Sequence, residues 1–132
     1  MKKRDKQDQY NALNERVKYL YRIYLKRVLR KDETTILKAL EYLRVFEIFI
    51  NFLGFETYNK MQADKYIDHL FDNNFSSSFI NNTLRELKEF LAWLQRQKGY
   101  RSKIKYDDIS FLNATNNQRR AAKAPEHKKS YS

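Results

Sequence analysis

Cysteine is absent from the 132 residues, which excludes a disulfide framework and any thiolate metal site and is compatible with a cytosolic compartment. Glycine occurs twice, at Gly54 and Gly99, and proline once, at Pro125, so little of the chain suits tight turns. The same scarcity excludes a Gly-rich phosphate loop. His69 and His127 are the two histidines, and neither has a second His or a carboxylate at a metal-ligand spacing that a helix would bring onto one face. Long apolar runs are missing too: Arg44 and Glu47 interrupt the most hydrophobic stretch, well short of the ~18 residues that span a bilayer. The leading MKKRDKQDQ is charged and has no apolar core of the kind a secretory signal needs.

What is present points to one helical domain. Hydrophobic residues make up 42% and aromatics 15%, enough for a core at this length. Lysine and arginine number 27 against 16 acidic residues, a formal charge of +11. Such an excess repels itself in a compact state, so a polyanionic partner is a reasonable expectation, with a membrane surface or simple solubility as the other meanings.

Residues 1–9 are polar and read as frayed. A first helix is expected from about Tyr10 to Arg30, with Tyr10, Leu13, Val17, Leu20, Tyr24 and Val28 on its apolar stripe. Arg16, Lys18, Arg22, Lys26, Arg27 and Arg30 cover the rest, either as a solvated face or as a track for phosphates. Thr34 is the expected cap of a second helix, Thr35 to about Leu53, whose wide arc of Ile36, Leu40, Leu43, Phe46, Phe49, Ile50 and Leu53 marks it as central. Its first turn is polar, with Thr35 and Lys38, and Lys31 lies just before it. Gly54 reads as a left-handed stop. Asn59 and Gln62 have capping-box spacing, and Ala63, Tyr66, Ile67 and Leu70 give a third helix its apolar face.

The stretch SSSFINNTLRELKEFLAWL, Ser76 to Leu94, carries the clearest pattern. Ser76 can cap, Phe75 can staple onto Ile80, and Ile80, Leu84, Leu87, Leu91 and Leu94 recur at steps of four and three. Phe79, Phe90 and Trp93 widen the stripe on one flank. Ser78, Asn81, Arg85, Lys88 and Arg96 fall on the other, with Asn82 and Glu89 at its margin. That helix is expected to reach about Lys98, stopped by Gly99. Asp108 to Leu112 can make a short docking helix, and from Asn113 onward the composition is that of a flexible basic linker or tail.

Catalysis finds no support in these residues. Ser76, Ser77 and Ser78 have no accompanying base, and capping accounts for Ser76. The ten tyrosines, most at helical spacing, suit core and rim. By elimination the chain reads as a binding module with no cofactor.

Two helices together, TTILKALEYLRVFEIFINFL and SSSFINNTLRELKEFLAWL, resemble the long helices of the core-binding domain of tyrosine recombinases, the N-terminal SAM-like domain of phage-type integrases. Thr35, Tyr42, Leu43, Phe46 and Phe49 carry the first part of the likeness; Ile80, Asn81, Leu84, Leu87, Phe90 and Trp93 carry the second. The segments GYRSKIKYDDISFLN and RRAAKAPEHKKSYS resemble the end of that domain and the linker to a catalytic domain, so the likeness covers about residues 10–132. It implies an all-α, compact four- to five-helix SAM-like bundle, residues 10–112, acting on DNA in the cytoplasm at the nucleoid. Phe79 departs from the pattern, where the family often has Thr. The family's chemistry lies in a separate domain with a His-x-x-Arg element; His69 and His127 do not fit it, and Tyr131 is not expected to be the nucleophile. This chain thus resembles the non-catalytic front part of an integrase.

In that family the domain presents two helices to the major groove of double-stranded DNA, with neighbouring recombinase protomers as further partners. Carried over by position, the readers are Thr35, Lys38, Ser78, Asn81, Asn82 and Arg85. The side-chain types suit this: Asn can pair with adenine, Arg with guanine, and Ser or Thr with a base or a phosphate. Lys31, Lys88, Arg101 and Lys103 are expected at phosphates, and Arg119, Arg120, Lys123, Lys128 and Lys129 along the backbone beside the linker. The competing expectation is a helical protein-interaction module, or a stand-alone DNA-binding regulator.

Overall fold

The computed structural model describes residues 10–112. Among the described residues five α-helices follow in order, α1 (Ala12–Arg27), α2 (Glu33–Phe49), α3 (Lys60–Asp72), α4 (Ser77–Gln95) and α5 (Tyr106–Ser110), with a 3-10 turn at Phe55–Thr57. No strand occurs among the described residues, so the fold is an all-α bundle as expected. Residues 1–9, expected to be frayed, and 113–132, expected to form a linker and carrying Arg119, Arg120, Lys123, Lys128 and Lys129, lie outside the described residues.

Local sequence explains the helix starts. Asn11, Asp32, Asn59 and Ser76 each offer a side-chain oxygen to the backbone N–H three residues on, in Asn14, Thr35, Gln62 and Phe79. A cap of this kind contributes about 1 kcal/mol. For α2 the cap is Asp32 and not Thr34: a carboxylate answers both the orphan N–H and the positive helix end. The Thr35 N–H in turn holds the Asp32 carboxyl below its ordinary range.

Helix α4 is the hub. It buries Ile80, Thr83, Leu84, Leu87, Phe90, Leu91, Trp93 and Leu94, and it packs against α2, α3 and α5. Phe90 and Trp93 also meet the Tyr21 ring of α1, each at 5.0 Å between centroids. Helix α2 packs against both α1 and α4, and its Phe46 and Phe49 meet Tyr66 of α3, each at 5.0 Å. Ile104, Ile109 and Leu112 close the core beneath α4, and the Tyr58 hydroxyl donates to the Asp108 carbonyl.

Three expectations need correction. The apolar row expected on α1 is largely exposed: Tyr10 and Leu13 at 65%, Val28 at 63% and Leu20 at 41%. The buried row is Asn14, Val17, Tyr21 and Leu25, so the helix is turned about its axis to bring a polar residue inward. Leu53 is exposed as well, because α2 ends before it. Finally, Gly54 is extended, at φ −61°, and the left-handed positions are Asn51 and Phe52, at φ 59° and 61°. Asn11 Nδ2 donates to the Phe52 carbonyl at 3.0 Å and holds that turn to α1.

The reason for α1's rotation is a buried polar network. Asn14 is 1% exposed and Glu47 0%. Asn14 Nδ2 donates to Glu47 Oε2 at 3.1 Å and to the Leu53 carbonyl at 2.8 Å, while its Oδ1 accepts from the Phe55 N–H at 3.1 Å. Lys18 Nζ reaches Glu47 at 2.7 Å and Glu15 at 2.9 Å. Burial alone would lower the Lys18 pKa, but the two carboxylates outweigh it and the ammonium ends up above its ordinary value. A buried carboxylate is tolerable only with such partners.

Candidate nucleic-acid interface

The polar flank of α4 survives folding as an uncovered surface. Ser78, Asn81 and Arg85 are exposed, Asn82 and Lys88 half-buried. Ser78 and Arg85 are two helical turns apart, about 10 Å, which fits a major groove ~12 Å wide. Phe79 is a packing residue, stacked on Phe75 at 4.8 Å and touching Tyr42 at 5.9 Å.

Helix α2 runs antiparallel to α4 beside this flank. Tyr42 meets Phe79 near the start of α4, while Lys31, ahead of α2, acts electrostatically on Glu86 further along. Thr35 and Lys38 fall between those two points, both exposed, alongside the Asn82 side of α4. Lys31, Thr35 and Lys38 therefore lie along the side of α4 that carries Phe79 and Glu86, and Asn82, Arg85, Ser78 and Asn81 follow round the exposed surface of that helix. Lys88, two turns past Asn81, lies on the same strip of α4 as Asn81, at the edge of this surface farthest from α2.

Arg85 is not a free reader. Its Nη1 donates to Asn82 Oδ1 at 3.0 Å, and its Nη2 lies 3.8 Å from Glu86 Oε2. Asn82 and Arg85 thus form one unit along the helix, spaced at i, i+3, which their sequence separation allowed and the sequence reading overlooked. Burial and the neighbouring Glu89 push the Glu86 carboxyl above its ordinary value, while Arg85 and Lys31 pull it partly back.

Known proteins supply no further guide. No family model, curated protein or solved structure matches this chain.

Arg101 and Lys103 are exposed, but on the turn after α4 that Gly99 opens at φ 91°. From Ser78 to Arg96 α4 rises about 27 Å, so these two cations cannot share one groove contact with Ser78. Among the described residues no group of His, Asp and Glu is arranged to hold a metal ion, and no helix is long and apolar enough to cross a membrane.

Proposed function

We propose that this chain binds double-stranded DNA as the core-binding half of a tyrosine recombinase, with the first halves of α2 and α4 in the major groove. The observation that carries the reading is the antiparallel meeting of two uncovered polar helix faces, bearing Lys31, Thr35, Lys38, Asn82 and Arg85, on a chain of formal charge +11. On this reading the chain acts at the nucleoid and contributes positioning and site preference, and bond breakage belongs to another domain. Arg101 and Lys103, beyond the far end of α4, contact phosphates outside the stretch of groove that the readers face. The linker cations Arg119 and Arg120 follow the backbone further out.

Counterion release makes the reading testable. Anisotropy of a labelled duplex should fall steeply with salt, losing ~10²–10⁴ in affinity between 50 and 200 mM if about half a dozen phosphates are neutralised. No binding at low salt, or binding indifferent to salt, sinks it. Arg85→Ala should relax sequence preference, whereas Lys103→Ala should weaken all duplexes alike.

One observation favours a second reading. Leu13 and Leu20 lie exposed on the same side of α1, a surface suited to a helical protein partner. Chemical-shift perturbations confined to that side of α1 on adding a protein partner, with none on adding duplex DNA, would favour it.

A further inference from the structure

We propose that Arg30 anchors a phosphate of the DNA backbone, at the head of a basic knuckle formed with Lys26, Arg27 and Lys31 where α1 turns into α2; this inference rests on the DNA-binding reading above. The turn itself supplies the first step. Val28 and Leu29 N–H groups both bond to the Tyr24 carbonyl, at 2.9 and 3.2 Å, and Lys31 N–H bonds to the Leu25 carbonyl at 3.0 Å. These bonds close the end of α1, and the Lys31 bond reaches back six residues around a left-handed position of the kind usually held by glycine. Here that position is Arg30, at φ 57°. A side chain there is disfavoured by contact between its Cβ and the backbone, so glycine would serve the turn better.

Among the described residues the Arg30 side chain has no hydrogen-bond or ion-pair partner. Arg30 is exposed, and none of Lys26, Arg27, Arg30 and Lys31 forms an ion pair with a described residue. The nearby acids are engaged elsewhere: Asp32 caps α2, and Glu33 binds Arg22 at 2.7 Å. A strained position that holds a long cation without an internal partner points outward, to an anion.

Its place in the fold selects which anion. Lys31 acts on Glu86, one residue beyond Arg85, and precedes Thr35 and Lys38 by about one and two helical turns. The knuckle therefore flanks the groove-reading face where the bounding phosphate strand runs. Guanidinium suits a phosphodiester because its planar fork can hold two oxygens at once.

Arg30→Gly in the full chain tests this, because the substitution relieves the backbone while it removes the charge. The expected result is a thermal midpoint equal to or above the parent's, with duplex affinity lower several-fold and a salt slope shallower by about 0.9, one phosphate contact. Arg30→Lys should restore most of the slope. Lys65→Ala, which removes the same charge on α3, should change neither. If Arg30→Gly binds with the parent's affinity and slope, the knuckle falls and the DNA reading stands. If the parent binds no duplex, both fall. An equal loss in Lys65→Ala, a lower midpoint in Arg30→Gly, or an Arg30-dependent affinity for phosphatidylserine vesicles in place of duplex would each overturn the proposal.

Discussion

Asn14→Leu removes the centre of the buried network while keeping most of the volume. The substitution leaves the Leu53 carbonyl and the Phe55 N–H without their partner, and strips Glu47 Oε2 of one donor. Each buried group left unpaired costs about 1–3 kcal/mol, and with some relaxation of the loop the expected total is about 3 kcal/mol. Lys18 still holds Glu47, which keeps the loss below that of an isolated buried charge. For a domain of this size each kcal/mol lowers Tm by about 4–8 °C, so the variant should melt about 12–24 °C below the parent. Far-UV circular dichroism during heating and in urea reads both quantities. Asn14→Asp gives a second arm: it keeps an acceptor for Phe55 but sets a second carboxylate beside Glu47. Its damage should be largest near neutral pH and shrink on acidification. Lys38→Ala, on the exposed face of α2, should stay within about 0.5 kcal/mol. A loss below about 1 kcal/mol in Asn14→Leu would refute the claim that this network holds α1 to the end of α2.

Two further substitutions probe single groups. The Glu86 carboxyl titrates above its ordinary value of 4.5, so its contribution to stability is full below that value and is lost as pH rises through the raised one. Glu86→Gln should therefore melt above the parent at about pH 7, with the gap closing toward about pH 4; a variant that melts lower at neutral pH contradicts this. The Tyr66 hydroxyl is buried with no hydrogen-bond partner among the described residues, and burial pushes its pKa up. Tyr66→Phe should leave the urea midpoint unchanged or raise it, and a loss above about 1 kcal/mol would mean that the hydroxyl is bonded.

Local information accounts for what the sequence made readable. Ser76 and Asn59 cap through bonds to the N–H three residues on, and the Ile80 to Leu94 stripe follows from steps of three and four. Asn14 was opaque because its partners are Glu47, Leu53 and Phe55, far along the chain, and a polar residue on a helix reads as exposed until they are in place. The end of α2 misled for the same reason: Phe52 takes a left-handed conformation held from α1, while Gly54 needs no such freedom. For the interface, each polar face was legible on its own helix. Their adjacency was not, since it depends on Tyr42 packing against Phe79. Nor does any local pattern reveal that Arg30, rather than a glycine, closes α1.

The buried network and the surface cations are linked through α1. Near its start α1 is tied to the end of α2 by Asn14 and Lys18, and further along it is held by Tyr21 and Tyr24 against Phe90 and Trp93 of α4. A helix fixed at two separated places presents its terminal turn at a defined position relative to α4. On the DNA-binding reading this matters for affinity, because a phosphate contact from a loosely held turn would give back much of its energy in ordering entropy. The two kinds of variant then separate cleanly. Removing charge from the turn should weaken duplex binding and leave Tm in place, whereas loosening α1 from within should lower Tm and weaken binding together. That Arg30 is exposed and strained while Asn14 is buried and fully bonded is the structural basis for this distinction.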